Sequence, residues 1–140
     1  IGLWYRGSRV RIPSSTLIFQ YNIFMGWFSS SSSKLNWNLI TDDNILQDLI
    51  KLSFSEKVLV FKHSTKCSIS TMSKNRLESS GDNSKIESCY LLDLLNYRDI
   101  SSKIERDFKV THESPQVLII ENGECIYNAS HNEISWDNIP

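Results

Sequence analysis

The stretch "KVLVFKHSTKCSIS", Lys57 to Ser70, holds the reading that decides the fold. Its first half, Lys57 to His63, is a compact run of β-branched and aromatic residues, which reads as a strand buried on both faces. Its second half, "STKC", is short and polar. From Ser68 a helical spacing begins, carried by Ile69, Met72, Arg76 and Leu77. A buried strand that passes through a tight polar turn into a helix is the first half of a strand–helix–strand unit, and such units impose parallel pairing. The thiol of Cys67 falls at the turn itself.

Working outward, "SSGDNS" ends that helix with Gly81 in the stop position, and "SCYLLDLL" supplies the next buried strand. "YRDISSKIERDF" follows as a helix with Ile100, Ile104 and Phe108 at four-residue spacing. The loop "HESPQ" then leads into "VLIIENGECIYNAS", where Asn122-Gly123 between two apolar runs is a strong hairpin signal and imposes antiparallel pairing. On the other side, Trp37 to Thr41 reads as a short strand, with Thr41 as N-cap of a helix striped by Ile45, Leu46, Leu49 and Ile50. The tail "NEISWDNI" reads as a final short helix. The order predicts an α/β domain with a mixed central sheet flanked by helices, the thioredoxin-like arrangement.

With 140 residues the chain is one domain's worth and needs no disulfide staples to bury a core. A formal net charge of −1 gives no electrostatic case for nucleic acid or an anionic membrane as partner. No apolar run approaches the roughly 20 residues that a membrane-spanning helix needs. Three cysteines leave at least one thiol free, and no pair has CxxC spacing, which suits a reducing, cytoplasmic setting. Residues 1–24 read differently from the rest. They carry Arg6, Arg9 and Arg11 and no acid and show no periodicity; a DNA string that encodes "VRIP" (Val10 to Pro13) resembles the T-arm of transfer-RNA genes, the alternative reading being a basic targeting arm. They are expected to be upstream DNA translated ahead of Met25; residues 25–36 form a flexible Ser-rich tail, and the domain occupies 37–140.

Cys67 is the residue with chemistry. A cysteine where a strand ends and a helix begins faces free backbone N–H groups and the positive end of the helix dipole, and both favour the thiolate. Lys66 adds positive charge, and the Ser70 hydroxyl, in the first helical turn, is expected to donate a hydrogen bond to the sulfur. The neighbours Ser64, Thr65, Lys66, Ser68 and Ser70 are polar and loop-like, which argues against a buried structural cysteine. Cys89 and Cys125 do read as structural, placed on opposite edge strands too far apart to bridge. Pro115, just before a buried strand, is expected in the cis form with Ser114 presented for pairing with an extended substrate. His63 reads as a strand-end residue that tunes the loop, and His112 and His131 as solvated or capping groups. No metal site is expected, since His63 and Cys67 find no third or fourth ligand nearby in sequence. A phosphatase loop is excluded, because Ser73 stands where its arginine belongs.

The segment "KHSTKCSIS", followed far downstream by "HESPQVLIIENGECIYNASH", resembles the YtxJ-type monothiol bacilliredoxins, a thioredoxin-like family of the bacillithiol system, over roughly Trp37 to Ile139. The resemblance implies that Cys67 attacks a mixed disulfide between a protein and a low-molecular-weight thiol, takes the small thiol and releases the reduced protein. It implies Thr65, Lys66, Ser68 and Ser70 as the active-site loop and Ser114, Pro115 and Gln116 as the substrate-binding loop. It also implies no bound cofactor, bacillithiol or a similar low-molecular-weight thiol as co-substrate, and S-thiolated client proteins as partners. With serine at position 70, a mixed disulfide on Cys67 has no internal exit, which favours de-thiolation over dithiol oxidoreduction. The rival reading is a binding module that holds clients at Ser114–Pro115 without turnover, or a redox sensor acting through Cys67.

Overall fold

The computed structural model describes residues 35–80 and 86–140. Along the chain run β1 (Trp37–Leu39), α1 (Asp43–Leu52), β2 (Val58–His63), α2 (Ser68–Ser79), β3 (Ser88–Asp93), α3 (Arg98–Phe108), β4 (Gln116–Glu121) and β5 (Glu124–Ser130), closed by a 3-10 turn at His131–Glu133. The expected upstream segment 1–24 and the Gly81 helix stop lie outside the described residues, as does all of the Ser-rich tail 25–36 except its last two residues. Of those two, Leu35 is buried in the core, so the packed domain starts earlier than Trp37.

The five strands form one sheet in the order β1-β3-β2-β4-β5. β1, β3 and β2 run parallel, whereas β4 is antiparallel to β2 and β5 is antiparallel to β4. This is the expected mixed sheet. Every residue of β2 is buried, because it is the central strand and is covered on both faces. Alternation sorts its side chains. Val58 and Val60 join Leu46 and Leu49 of α1, Ile100, Ile104 and Phe108 of α3, and Leu118 and Ile120 of β4. Leu59 and Phe61 turn to the opposite layer, with Leu77 of α2, Val117, Ile119, Ile134, Trp136 and Ile139.

Several local expectations are corrected. Asp42, not Thr41, caps α1, its carboxylate accepting the Ile45 N–H at 3.0 Å. The C-terminal helix is only the 3-10 turn; Ile134, Trp136 and Ile139 are drawn into the core instead, and the Trp136 indole donates to the Leu77 carbonyl at 2.8 Å. The buried face of α2 is Ser70, Ser73 and Leu77, while Ile69 and Met72 are 47% and 63% exposed. The serines are buried because their hydroxyls have partners there, Ser73 donating to the His131 carbonyl at 3.2 Å. Cys89 lies in β3, an interior strand, not at an edge; Cys125 lies in the edge strand β5, and both thiols are free.

The β4–β5 hairpin turns as expected at Asn122 and Gly123, with φ of 53° and 77°, the left-handed pair that this turn needs. Ser53 docks the turn, its carbonyl accepting from Asn122 N and its hydroxyl from Gly123 N. Replacing Gly123 with alanine is expected to cost about 1–2 kcal/mol, because an L side chain is strained at that φ. The new Cβ would stand 3.0 Å from Cζ of Phe54, whose exposed ring can yield, so the backbone term dominates. A urea midpoint equal to wild type would refute this.

Candidate active site

The thiol-bearing loop leaves the carboxyl end of β2 and is folded back by its own backbone. Cys67 N–H donates to the Ser64 carbonyl at 3.1 Å, and Thr71 N–H donates to the Cys67 carbonyl at 3.1 Å. Cys67 is the N-cap of α2, in extended backbone with φ −106° and ψ 119°, and its side chain makes no capping hydrogen bond. It is half-buried, at the end of a 12-residue helix whose first-turn N–H groups lack intrahelical acceptors. Thr65, Lys66 and Ser68 around it are exposed.

Ser70 has a different part from the one expected. Fully buried, its Oγ accepts the Ser64 N–H at 3.0 Å and lies 2.6 Å from His63 Nδ1. The hydroxyl therefore staples α2 to the end of β2 and is not spent on the sulfur. His63 is itself buried and stacks on Phe61 with ring centroids 5.8 Å apart. Burial, then the Lys74 charge, lower its pKa below the ordinary value, so the ring is neutral at physiological pH. His63 supports the loop as a packed, hydrogen-bonded neutral group, not as a charge. Ser70→Ala leaves the Ser64 N–H and His63 Nδ1 without their partner and is expected to destabilise the domain by about 1–3 kcal/mol. A change below about 0.5 kcal/mol in urea unfolding would show that the staple matters little.

The second expected segment lies at the same end of the sheet. β4 pairs with β2 so that Gln116 faces Lys62, which brings Pro115 alongside the end of β2 from which the Cys67 loop departs. The Ser114–Pro115 peptide is cis. Ser114 is half-buried, and the Pro115 carbonyl accepts from His131 N at 3.2 Å. Gln116 does not face solvent. Its amide is buried, with Oε1 accepting from Lys62 Nζ (3.4 Å) and Glu113 N (3.3 Å) and Nε2 donating to the Thr111 carbonyl (2.9 Å), so it ties down the loop that carries Ser114 and Pro115.

Two open clefts flank these loops. One, about 280 Å³, is lined by Thr41, His63, Thr65, Asp93, Asn96 and Tyr97 among others; the other, about 460 Å³, lies between Glu113 and Asn128–Glu133, the end of β5 with the 3-10 turn after it. Neither was legible in the sequence, because each is assembled from segments that only the fold brings together. Also missed was Lys62, hidden inside an apolar strand pattern, and His112, whose Nδ1 sits 3.0 Å from Lys62 Nζ instead of being merely solvated. Among the described residues no three His, Cys, Asp or Glu side chains are grouped as metal ligands, and no helix is long and apolar enough to cross a membrane.

Sequence and structure comparisons give the family and the fold. Residues 38–139 match the family described as monothiol bacilliredoxin BrxC. A solved structure described as carrying a thioredoxin fold is 27% identical, with a TM-score of 0.64, covering 72% of this chain and 88% of its own. Thioredoxin from Trypanosoma brucei brucei is similar in fold at 11% identity and a TM-score of 0.58, covering 74% of this chain and 86% of its own. Thioredoxin NaTrxh from Nicotiana alata is similar in fold at 17% identity and 0.56, covering 73% and 86%.

Proposed function

The chain belongs to the monothiol bacilliredoxin family of thiol oxidoreductases, within the thioredoxin-like superfamily, and from that premise we propose that it strips a low-molecular-weight thiol, bacillithiol, from protein mixed disulfides through Cys67. The observation that carries this reading is the solitude of that thiol. Cys67 is half-buried at a helix N-terminus, position 70 is a buried serine engaged with His63, and the other two cysteines sit within sheet strands. Such a site can begin thiol–disulfide exchange but holds no neighbouring thiol to finish it.

The Cys67 thiolate attacks the small-thiol sulfur of the mixed disulfide. A new Cys67–small-thiol disulfide forms, the original S–S bond breaks, and the client leaves as a thiolate that takes a proton from solvent. No net oxidation occurs. A second low-molecular-weight thiol then attacks the adduct, returning Cys67 and leaving as the small-molecule disulfide. Thr65, Lys66 and Ser68 form the exposed face the client meets, Ser70 holds the loop, Ser114 and Pro115 offer backbone to the client, and Gln116 anchors them. The client proteins are S-thiolated and cytoplasmic in this reading.

The test is release of the cap from one client protein carrying bacillithiol and, in parallel, the same protein carrying glutathione. Faster release from the bacillithiol-capped client, with a transient adduct on Cys67 by intact mass, is expected. Equal rates on both would remove the bacillithiol assignment, and no release from either would leave the binding-module reading.

A further inference from the structure

Strand β2 carries Lys62 into the interior with no exposed surface. Alternation along the strand turns it to the layer that holds α1 and α3, where its Nζ meets two neutral groups, His112 Nδ1 at 3.0 Å and Gln116 Oε1 at 3.4 Å. Among the described residues no carboxylate lies within ion-pair distance of it; Glu105 acts on it through its field alone. Burial lowers its pKa to about 8, which still leaves the amine about 90% protonated at pH 7. Buried cations are ordinarily paired with an anion. Here the partner is missing.

An open cleft of about 340 Å³ begins where this network ends. It is lined by His112, Leu94, Arg98, Ser101, Ser102 and Glu105, the last four of which fall on one face of α3. The Lys62 ammonium can only donate, so His112 Nδ1 accepts from it and the neutral ring carries its proton on Nε2. Ser102 spends its hydroxyl on the Arg98 carbonyl, and Ser101 Oγ lies 3.3 Å from His112 Nδ1. Nδ1 has one lone pair, which Lys62 takes, so the donors left for a ligand are the His112 Nε2–H, the exposed Arg98 guanidinium and the Ser101 hydroxyl. In charge, Lys62 and Arg98 face Glu105, the carboxylate that lines this cleft and accepts from His112 N; Glu113 also acts on His112 through its field but lines the other cleft. One negative charge is wanting.

We infer that the cleft between α3 and the His112 loop is a binding site for the carboxylate group of a small molecule, held by Arg98 and the His112 Nε2–H with Lys62 behind them as countercharge. A carboxylate fits better than a phosphate, because only one charge is missing and Glu105 repels a dianion. The site borders the thiol centre: Gln116, which anchors the Ser114–Pro115 loop, accepts from Lys62, and Leu94 N–H donates to the His63 carbonyl at 3.0 Å.

The experiment is NMR titration of the full chain with sodium acetate at pH 7.5 and constant ionic strength, following the His112 ring resonance. A parallel titration uses inorganic phosphate. The expected result is a saturable shift with acetate, half-complete in the millimolar range, and at least tenfold weaker binding in both Arg98→Gln and Lys62→Met. Arg98 is exposed, so its variant keeps the fold. A linear, non-saturating response in wild type would overturn the inference, as would unchanged acetate binding in the two variants. Tighter binding of phosphate than of acetate would overturn the carboxylate assignment.

Discussion

Cys67→Ser is expected to bring cap release down to the uncatalysed rate, a loss on the order of 10³-fold or more, since removal of a nucleophile leaves only binding. The other cysteines cannot substitute. Burial pushes the Cys89 thiol up to about 11 and also raises Cys125, so both remain thiols, and poor nucleophiles, at neutral pH. Cys89 lies within β3, and the Cys125 sulfur donates to the Tyr127 carbonyl at 3.2 Å. Mild alkylation of wild type at pH 7.5 is therefore expected to modify Cys67 first, and the serine variant should resist labelling. Release above about a tenth of the wild-type rate in Cys67→Ser would remove Cys67 as the nucleophile.

Lys62→Met is expected to stabilise the domain at pH 7 by about 2 kcal/mol. The folded state holds Lys62 at about 8, against 10.5 for a free lysine, so folding works against the proton at any pH below that window. The difference amounts to about 3 kcal/mol at about 1.4 kcal/mol per tenfold. Losing the Lys62 hydrogen bonds to Gln116 Oε1 and His112 Nδ1 returns about 1 kcal/mol. Between 8 and 10.5 the unfolded chain binds more protons than the folded one, so wild-type stability rises with pH. The advantage of the methionine variant should then shrink by about 1 kcal/mol from pH 7 to pH 9. Above that, Cys89 contributes with the opposite sign, because its raised folded pKa makes stability fall between 9 and about 11. Urea titrations at pH 7, 8 and 9 decide the matter. A gap that stays constant, or a variant less stable than wild type, would show that Lys62 is held comfortably.

A buried cation with no carboxylate at ion-pair distance among the described residues, set behind a donor-lined cleft, is accounted for by an anionic ligand. Adding acetate should close part of the stability gap, since a ligand that binds only the folded protein raises its stability.

Much of the fold could be read locally. The strand at Val58–His63, the turn into α2 at Cys67, the Asn122-Gly123 hairpin and the helix carrying Ile100, Ile104 and Phe108 are each set by residues a few positions apart. Where local pattern and tertiary context disagreed, context won. Ile69 and Met72 have the spacing of a core stripe, yet Ser70 and Ser73 take the buried face because His63 and the His131 carbonyl wait there as partners. The C-terminal residues lose their helix because Ile134, Trp136 and Ile139 gain more by filling the layer around α2.

By itself the sequence determined that a lone cysteine stands at a strand-to-helix junction with serine where a resolving thiol would be, because chain neighbours and turn chemistry are properties of adjacent residues. Only the tertiary structure decided what Ser70 does with its hydroxyl and that Lys62, His112 and Gln116 form one network. Those contacts depend on the pairing of β2 with β4, which brings together residues about fifty positions apart, and no local period records which strand a chain will choose as its neighbour.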